Sequence, residues 1–112
     1  MIFFRNKVNP KNSAEILFEA LENDACCGEC TLIFDNGAAV VTSVEFDEKK
    51  PYIADGLIKS AFNFATTKNY YMGYCKCKNY GGFLDRMNFE VKDGVYYNDI
   101  PSILQGNCCK KH

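Results

Sequence analysis

Ile53-Ala-Asp-Gly-Leu-Ile-Lys-Ser-Ala-Phe-Asn-Phe-Ala-Thr-Thr67 is the stretch that decides the fold. Ala54, Leu57, Ile58, Ala61 and Ala65 recur at i, i+3, i+4, i+7 and i+11, which lays one apolar stripe along a helix of about 53–67. Such a helix buries its stripe against another layer, and both flanks read as strands. Upstream, Asn36-Gly37 is a hairpin signal, because a two-residue turn needs positive φ at both central positions. Ala38 to Phe46 is its return strand, with Val40, Thr42, Val44 and Phe46 assigned to the core face. Downstream, Lys68-Asn69 closes the helix and Tyr70 to Lys76 forms the next strand. Strand, helix and strand in that order imply one βαβ-like parallel crossover.

Outward from this unit the pattern is mixed. Residues 2–5 read as a short strand. Asn12 or Ser13 caps a first helix of about 13–22, with Glu15 at capping-box spacing and Ile16, Leu17, Ala20 and Leu21 at helical spacing. Residues 23–30 form a polar, thiol-rich connection, and Thr31 to Asp35 is a strand. Beyond Lys76, Gly81-Gly82 opens a short helix, Phe83 to Asn88. Phe89–Val91 and Val95–Tyr97 flank Asp93-Gly94, a second hairpin signal. The expected class is α+β, in the order β α ββ α β α ββ. The sheet is mostly antiparallel, with a central parallel crossover and about three helices, in a single domain over 1–112.

Composition narrows the function. A chain of 112 residues suits one core, and 47% apolar with 14% aromatic residues argues for a packed one. A net charge of −1 gives no basic field for nucleic acid. No apolar run approaches the roughly 18 residues of a membrane span. The apolar start Met1-Ile2-Phe3-Phe4 is cut off at once by Arg5 and Lys7, so no signal peptide is read and the expected location is cytoplasmic. Seven cysteines, an odd number, are expected as reduced thiols.

From about Val40 to Ile103 the chain resembles the acetyl-CoA-binding half of GNAT-type acyltransferases. The resemblance is carried by Ile53 to Ala65, the Tyr70–Cys75 strand, Phe83-Leu-Asp-Arg-Met-Asn-Phe89 and Val91-Lys-Asp-Gly94. It is nearest to small GNAT-like Firmicutes proteins that end in a cysteine-rich tail. The resemblance implies a GNAT-like fold, acetyl-CoA as cofactor and an amine acceptor, either a small amine or a protein amine. In that family a loop of pattern R/Q-x-x-G-x-G/A precedes the long helix, and its backbone amides and the helix dipole hold the pyrophosphate. By helix register the matching stretch is Lys49-Lys50-Pro51-Tyr52-Ile53-Ala54, with Asp55 and Gly56 following. Lys49 keeps a cation where the family has Arg or Gln. Tyr52 replaces the first glycine, and Pro51 removes one donor. Asp55 places a carboxylate at the helix start, where it repels a pyrophosphate.

The family's general-acid Tyr on the short helix falls at Leu84 here, which cannot serve. Tyr80 is the nearest replacement, and Tyr71 and Tyr74 lie on the preceding strand. The family's general base on the central strand falls near Glu45, with Asp47 behind it. The family's first half supplies two helices and three strands for the acceptor side. Between Glu22 and Asp47 there is room here for one hairpin only, so that side is reduced. A homodimer that completes a sheet edge is a further expectation.

Cys27-Gly-Glu-Cys30 has C-x-x-C spacing, but a redox pair should open a helix and Thr31-Leu-Ile-Phe34 reads as a strand. Zinc is disfavoured, because only one pair has ligand spacing; its candidate set is Cys27, Cys30, Cys108 and Cys109. Cys26 and Cys75 are read as buried small hydrophobes. Three readings follow: an acyl-CoA-dependent N-acyltransferase with a degraded pyrophosphate loop, a non-catalytic GNAT-like binding module, and a cysteine-based zinc or thiol protein.

Overall fold

The computed structural model describes residues 2–47, 49–76 and 89–105. Four strands come first: β1 (Ile2–Asn9), β2 (Asn12–Glu22), β3 (Ala25–Asp35) and β4 (Ala38–Phe46). Helix α1 (Pro51–Thr67) follows, then β5 (Met72–Cys75), β6 (Glu90–Lys92), β7 (Val95–Asp99) and α2 (Ile100–Gln105). They build one seven-stranded sheet in the order β1-β2-β3-β4-β5-β7-β6. Every neighbouring pair is antiparallel except β4 and β5, which α1 joins as a parallel crossover. The expected mixed sheet and its crossover are both present. Among the described residues no helix is long and apolar enough to cross a membrane.

The first half departs from expectation. Residues 13–22 are strand β2, not a helix, and residues 25–30 belong to β3, not to a connection. In the extended chain Phe18 and Ala20 point to the buried face, while Leu17 and Leu21 point to the other. That two-sided apolar pattern imitates a helical stripe. Asn12 accepts the Ala14 amide at 3.0 Å, which makes a turn at the strand start instead of a helix cap. Asn23 and Asp24 carry the β2–β3 turn at φ 53° and 67°, a left-handed pair without glycine. The two expected hairpins have the same signature, with Asn36-Gly37 at 50° and 77° and Asp93-Gly94 at 55° and 77°. The expected short helix at Phe83–Asn88 lies outside the described residues.

Helix α1 starts on Pro51, whose fixed φ suits a first helical position. Its end is closed by Asn69 at φ 68°, with the Tyr70 amide donating back to the Ala65 carbonyl at 3.1 Å. The stripe is complete: Ile53, Ala54, Leu57, Ile58, Ala61, Phe62 and Ala65 are all fully buried. They pack with Phe18, Ala20, Cys30, Leu32, Val41 and Val44 from the sheet and with Ile100 and Ile103 from α2. Both helices therefore cover one face of the sheet. No described element covers the other.

Bulges set which residues reach the core. In β4 the register steps from Leu32↔Val41 to Thr31↔Ser43, so Thr42 is the extra residue. Before it, Ala39 and Val41 face α1; after it, Val44 does. The expected single face of Val40, Thr42, Val44 and Phe46 is thus broken at Thr42, and Val40 lies on the open face. Cys27 is the extra residue of β3, where Ala20↔Gly28 steps to Leu21↔Cys26.

Asp99 starts α2 by accepting the Ser102 amide at 2.9 Å and the Ser102 hydroxyl at 3.0 Å. These bonds to the ionised form hold the Asp99 carboxyl below its usual value of 3.8. A folded-state value below the unfolded one adds stability above the unfolded value, and that stability is lost as pH falls through the folded one. Asp99→Ala is therefore expected to lower Tm at pH 7. The gap to the parent should shrink in melts taken below about pH 4, where the unfolded chain's carboxyl is protonated. A gap that stays constant down to pH 2 would remove the cap from the account.

Candidate functional site

β4 delivers the chain to a tight turn at the N-terminus of α1. The Asp47 carbonyl accepts the Lys50 amide at 2.8 Å, and Asp47 Oδ1 accepts the Lys49 amide at 3.0 Å. The Lys50 carbonyl then accepts the Ile53 amide at 3.0 Å. Pro51 brings no donor, so this helix start offers fewer backbone N–H groups than a glycine-lined loop. Gly28 of β3 is what lets the helix start sit so close. A Cβ there would lie 2.8 Å from Ile53 Cγ2 and 3.1 Å from the Glu45 carbonyl oxygen.

The seven residues assigned to the cofactor loop have different roles in this turn. Lys49 is exposed, and Lys50 Nζ lies 3.8 Å from Glu22 Oε1 at the end of β2. Tyr52 is about half exposed, at 48%. Ile53 and Ala54 turn their side chains into the core, so only their backbone can face a ligand. Asp55 Oδ2 pairs with Lys59 Nζ at 3.4 Å across one helical turn, while its Oδ1 is buried without a hydrogen-bond partner. Gly56 lies under the Phe4 ring of β1, where a Cβ would overlap it. Among the described residues, Lys50 and Lys59 are thus set against Glu22 and Asp55, while Asp47 engages only the Lys49 backbone amide at this positive helix end.

Beside this turn the sheet opens. β4 and β5 share three registered pairs, Ala39↔Gly73, Val40↔Tyr74 and Val41↔Cys75, closed by the Lys76 amide on the Val41 carbonyl at 3.0 Å. β5 ends at Cys75, whereas β4 runs on through its bulge to Phe46. The pairing ends at Val41, and the chain runs ten residues further, through Phe46 at the end of β4, to the start of α1 at Pro51.

Glu45 stands exposed on this stretch, on the open face. It lies in a cross-strand row with Glu29, Glu19 and Arg5. Arg5 Nε donates to Glu19 Oε1 at 2.9 Å and Lys7 Nζ lies 3.7 Å from it, so the buried member of the row is neutralised. Sequence reasoning missed this row because it misread β2. Tyr71 is exposed and Tyr74 half-buried; Tyr80 and Leu84 lie outside the described residues.

The thiols of the described residues do not converge. Cys27 donates to the Ala20 carbonyl at 3.4 Å, and Cys30 to the Leu57 carbonyl at 3.6 Å inside the core. Cys75 is buried as expected, but Cys26 is exposed, because the Cys27 bulge turns it to the open face. Cys108 and Cys109 lie outside the described residues. Among the described residues only Glu19, Cys26 and Glu29 bring ligand-type atoms together, within 4.8 Å of one another, and Glu19 is already paired.

No protein-family profile and no curated protein matches the sequence. Solved structures match in shape. An acetyltransferase of the GNAT family from Desulfovibrio desulfuricans superposes with a TM-score of 0.73 at 10% identity, over 89% of this chain and 99% of that one. A GNAT-family acetyltransferase from Staphylococcus aureus gives 0.68 at 18% identity, over 80% and 70%. The Paia N-acetyltransferase of Thermoplasma acidophilum, solved in complex with coenzyme A, gives 0.65 at 14% identity, over 78% and 60%. These likenesses are of fold: the chain has the GNAT architecture, with β4, α1 and β5 as its parallel crossover.

Proposed function

We propose that the chain binds acetyl-CoA at the β4–α1 turn and transfers the acyl group to an amine. The observation that carries the reading is that β4–β5 pairing ends at Val41–Cys75 while β4 runs on toward a helix start preceded by Lys49 and Lys50. The donor set suits a pyrophosphate in charge, with two lysines and one helix N-terminus, although its backbone donors are few. Bound coenzyme would supply the thioester whose acyl carbon an amine attacks. The new C–N bond forms as the C–S bond breaks, and the sulfur leaves as a thiolate. Lys49 and Lys50 would hold the phosphates, and the strand backbone past Val41 would orient the pantetheine arm. Glu45, exposed on the same stretch, would take the proton that the amine sheds. Tyr80 remains the candidate for returning a proton to the thiolate.

Thermal unfolding with millimolar acetyl-CoA tests the reading. Ligand at 100 times its Kd adds about 2.7 kcal/mol. That should raise Tm on the order of 10 °C. Adenosine diphosphate should reproduce part of it. No shift would leave the non-catalytic module, a reading favoured by the acids that already face Lys50 and Lys59.

The Glu22–Lys50 pair makes a sharper forecast. Glu22 competes with phosphate for the Lys50 ammonium, and both side chains are more than a third exposed, so the pair is worth little. Glu22→Gln should tighten acetyl-CoA roughly two- to fivefold, with the gain fading in 0.5 M salt. Titration calorimetry of the two proteins at low and high salt reads both effects. Equal affinities would take Lys50 out of the site.

A further inference from the structure

The open face of the sheet carries a groove of about 520 Å³ that the cofactor reading does not use. Its floor is a cross-strand stripe in exact register, Ile33↔Val40, Val40↔Tyr74 and Tyr74↔Tyr97, of which Val40, Tyr74 and Tyr97 line the cavity. The Tyr74 and Tyr97 rings lie 6.1 Å apart at 29°, a loosely stacked aromatic pair along the groove. One sheet face exposed to water usually alternates polar side chains, so an apolar stripe in a polar frame marks a binding surface.

The two ends of the groove differ in charge. Asp35, from the β3–β4 hairpin, stands at the end where β4 begins. Lys76, Lys92 and Asp93 stand at the other, where β5 ends and the β6–β7 hairpin turns. Lys76 is also the residue whose amide closes the β4–β5 pairing, so this end borders the opening past Val41 along which the pantetheine arm is proposed to lie.

We infer that the groove is the acceptor pocket and that it takes an α-amino acid with an aromatic or apolar side chain. The inference rests on the acyltransferase reading for the reaction but not for the binding. Lys76 and Lys92 match a carboxylate, and Asp93 matches the ammonium on the adjacent α-carbon. The side chain lies along Val40, Tyr74 and Tyr97. Asp35 at the far end disfavours an acidic side chain.

The test compares L-phenylalanine with phenethylamine, which lacks the carboxylate, and with L-glutamate. Binding is followed by NMR titration without coenzyme, and N-acetylation by mass spectrometry with acetyl-CoA. L-Phenylalanine should bind at least tenfold tighter than either comparator. The doubly substituted Lys76→Gln, Lys92→Gln protein, altered only at exposed positions, should lose that preference while keeping its melting temperature and its acetyl-CoA shift. Phenethylamine binding as tightly as phenylalanine, or a variant that keeps the preference, would overturn the amino-acid assignment. Acetyl-CoA binding without any phenylalanine binding would also overturn it and leave the acyltransferase reading standing. Phenylalanine binding without acetyl-CoA binding would uphold the groove and end the transferase.

Discussion

Phe62→Ala should lower the melting temperature by roughly 15–25 °C. Large-to-small changes at a buried Phe cost about 3–5 kcal/mol, the sum of lost transfer energy and the cavity left behind. In a domain of this size each kcal/mol is worth roughly 4–8 °C. Phe62 is fully buried where three elements meet. Its ring lies over Gly73 of β5, tilted 6.2 Å from the Phe89 ring, and the Ile103 side chain of α2 closes on the same glycine. Those neighbours belong to different elements, so they cannot collapse into the hole without moving strand against helix. Phe62→Leu keeps most of the volume and should recover more than half of the loss. A thermal melt of the alanine protein within 5 °C of the parent would mean that this junction is not tightly packed.

The second large effect is expected from adding atoms. Gly28→Val would place a branched side chain into the contact between β3 and the first turns of α1. Already a Cβ would meet Ile53 Cγ2 at 2.8 Å, and the Glu45 carbonyl oxygen and Leu57 Cδ1 at 3.1 Å each. Ile53 and Leu57 are fully buried and the third neighbour is backbone, so no flexible side chain can swing clear. Overpacking of this kind costs about 1–3 kcal/mol. A Tm loss of roughly 10–15 °C follows. The relief must come from lifting the start of α1 and with it the preceding turn that holds Lys49 and Lys50. Any acetyl-CoA shift should therefore weaken more than stability alone explains, when variant and parent are compared at equal distances below their own Tm. Gly73→Ala, which also overpacks but lies at β5, is the control: it should lose stability without that extra loss of ligand response.

The sequence was legible where one physical signal dominated. The stripe from Ala54 to Ala65 has a period that only a helix satisfies, and Asn36-Gly37 and Asp93-Gly94 have a backbone preference that little else matches. These fixed the crossover, the hairpins and hence the fold class. Residues 13–30 failed for three reasons. β2 carries apolar side chains on both faces, Phe18 and Ala20 toward α1 and Leu17 and Leu21 away, so its alternation is masked and helix spacing appears by coincidence. The Asn23-Asp24 turn achieves its two positive φ values without glycine, so the mark that exposed the other hairpins was missing. The cysteines added to the error, since a thiol-rich segment looked polar while Cys30 was in fact a core hydrophobe. At the candidate site, helix register named the residues around the start of α1. What could not be read was their pairing: Glu22 on Lys50 depends on β2 being a strand, and the row from Arg5 to Glu45 depends on four strands being neighbours.

The parallel pairing of β4 with β5 has a consequence for how the molecule comes apart. Neighbours within β1–β4 share seven or eight registered pairs, whereas β4 and β5 share three. The sheet is therefore two blocks sewn by a short seam, and α1 and α2 act as the clasp across it. Opening that seam breaks few backbone bonds, so it demands less free energy than unfolding either block. Deuterium should enter the Lys76 amide and the β5 amides through this partial opening, while the central amides of β3 wait for the whole chain to unfold. The proposed acyl transfer at this seam would then draw on an opening that leaves the register of the β1–β4 meander intact.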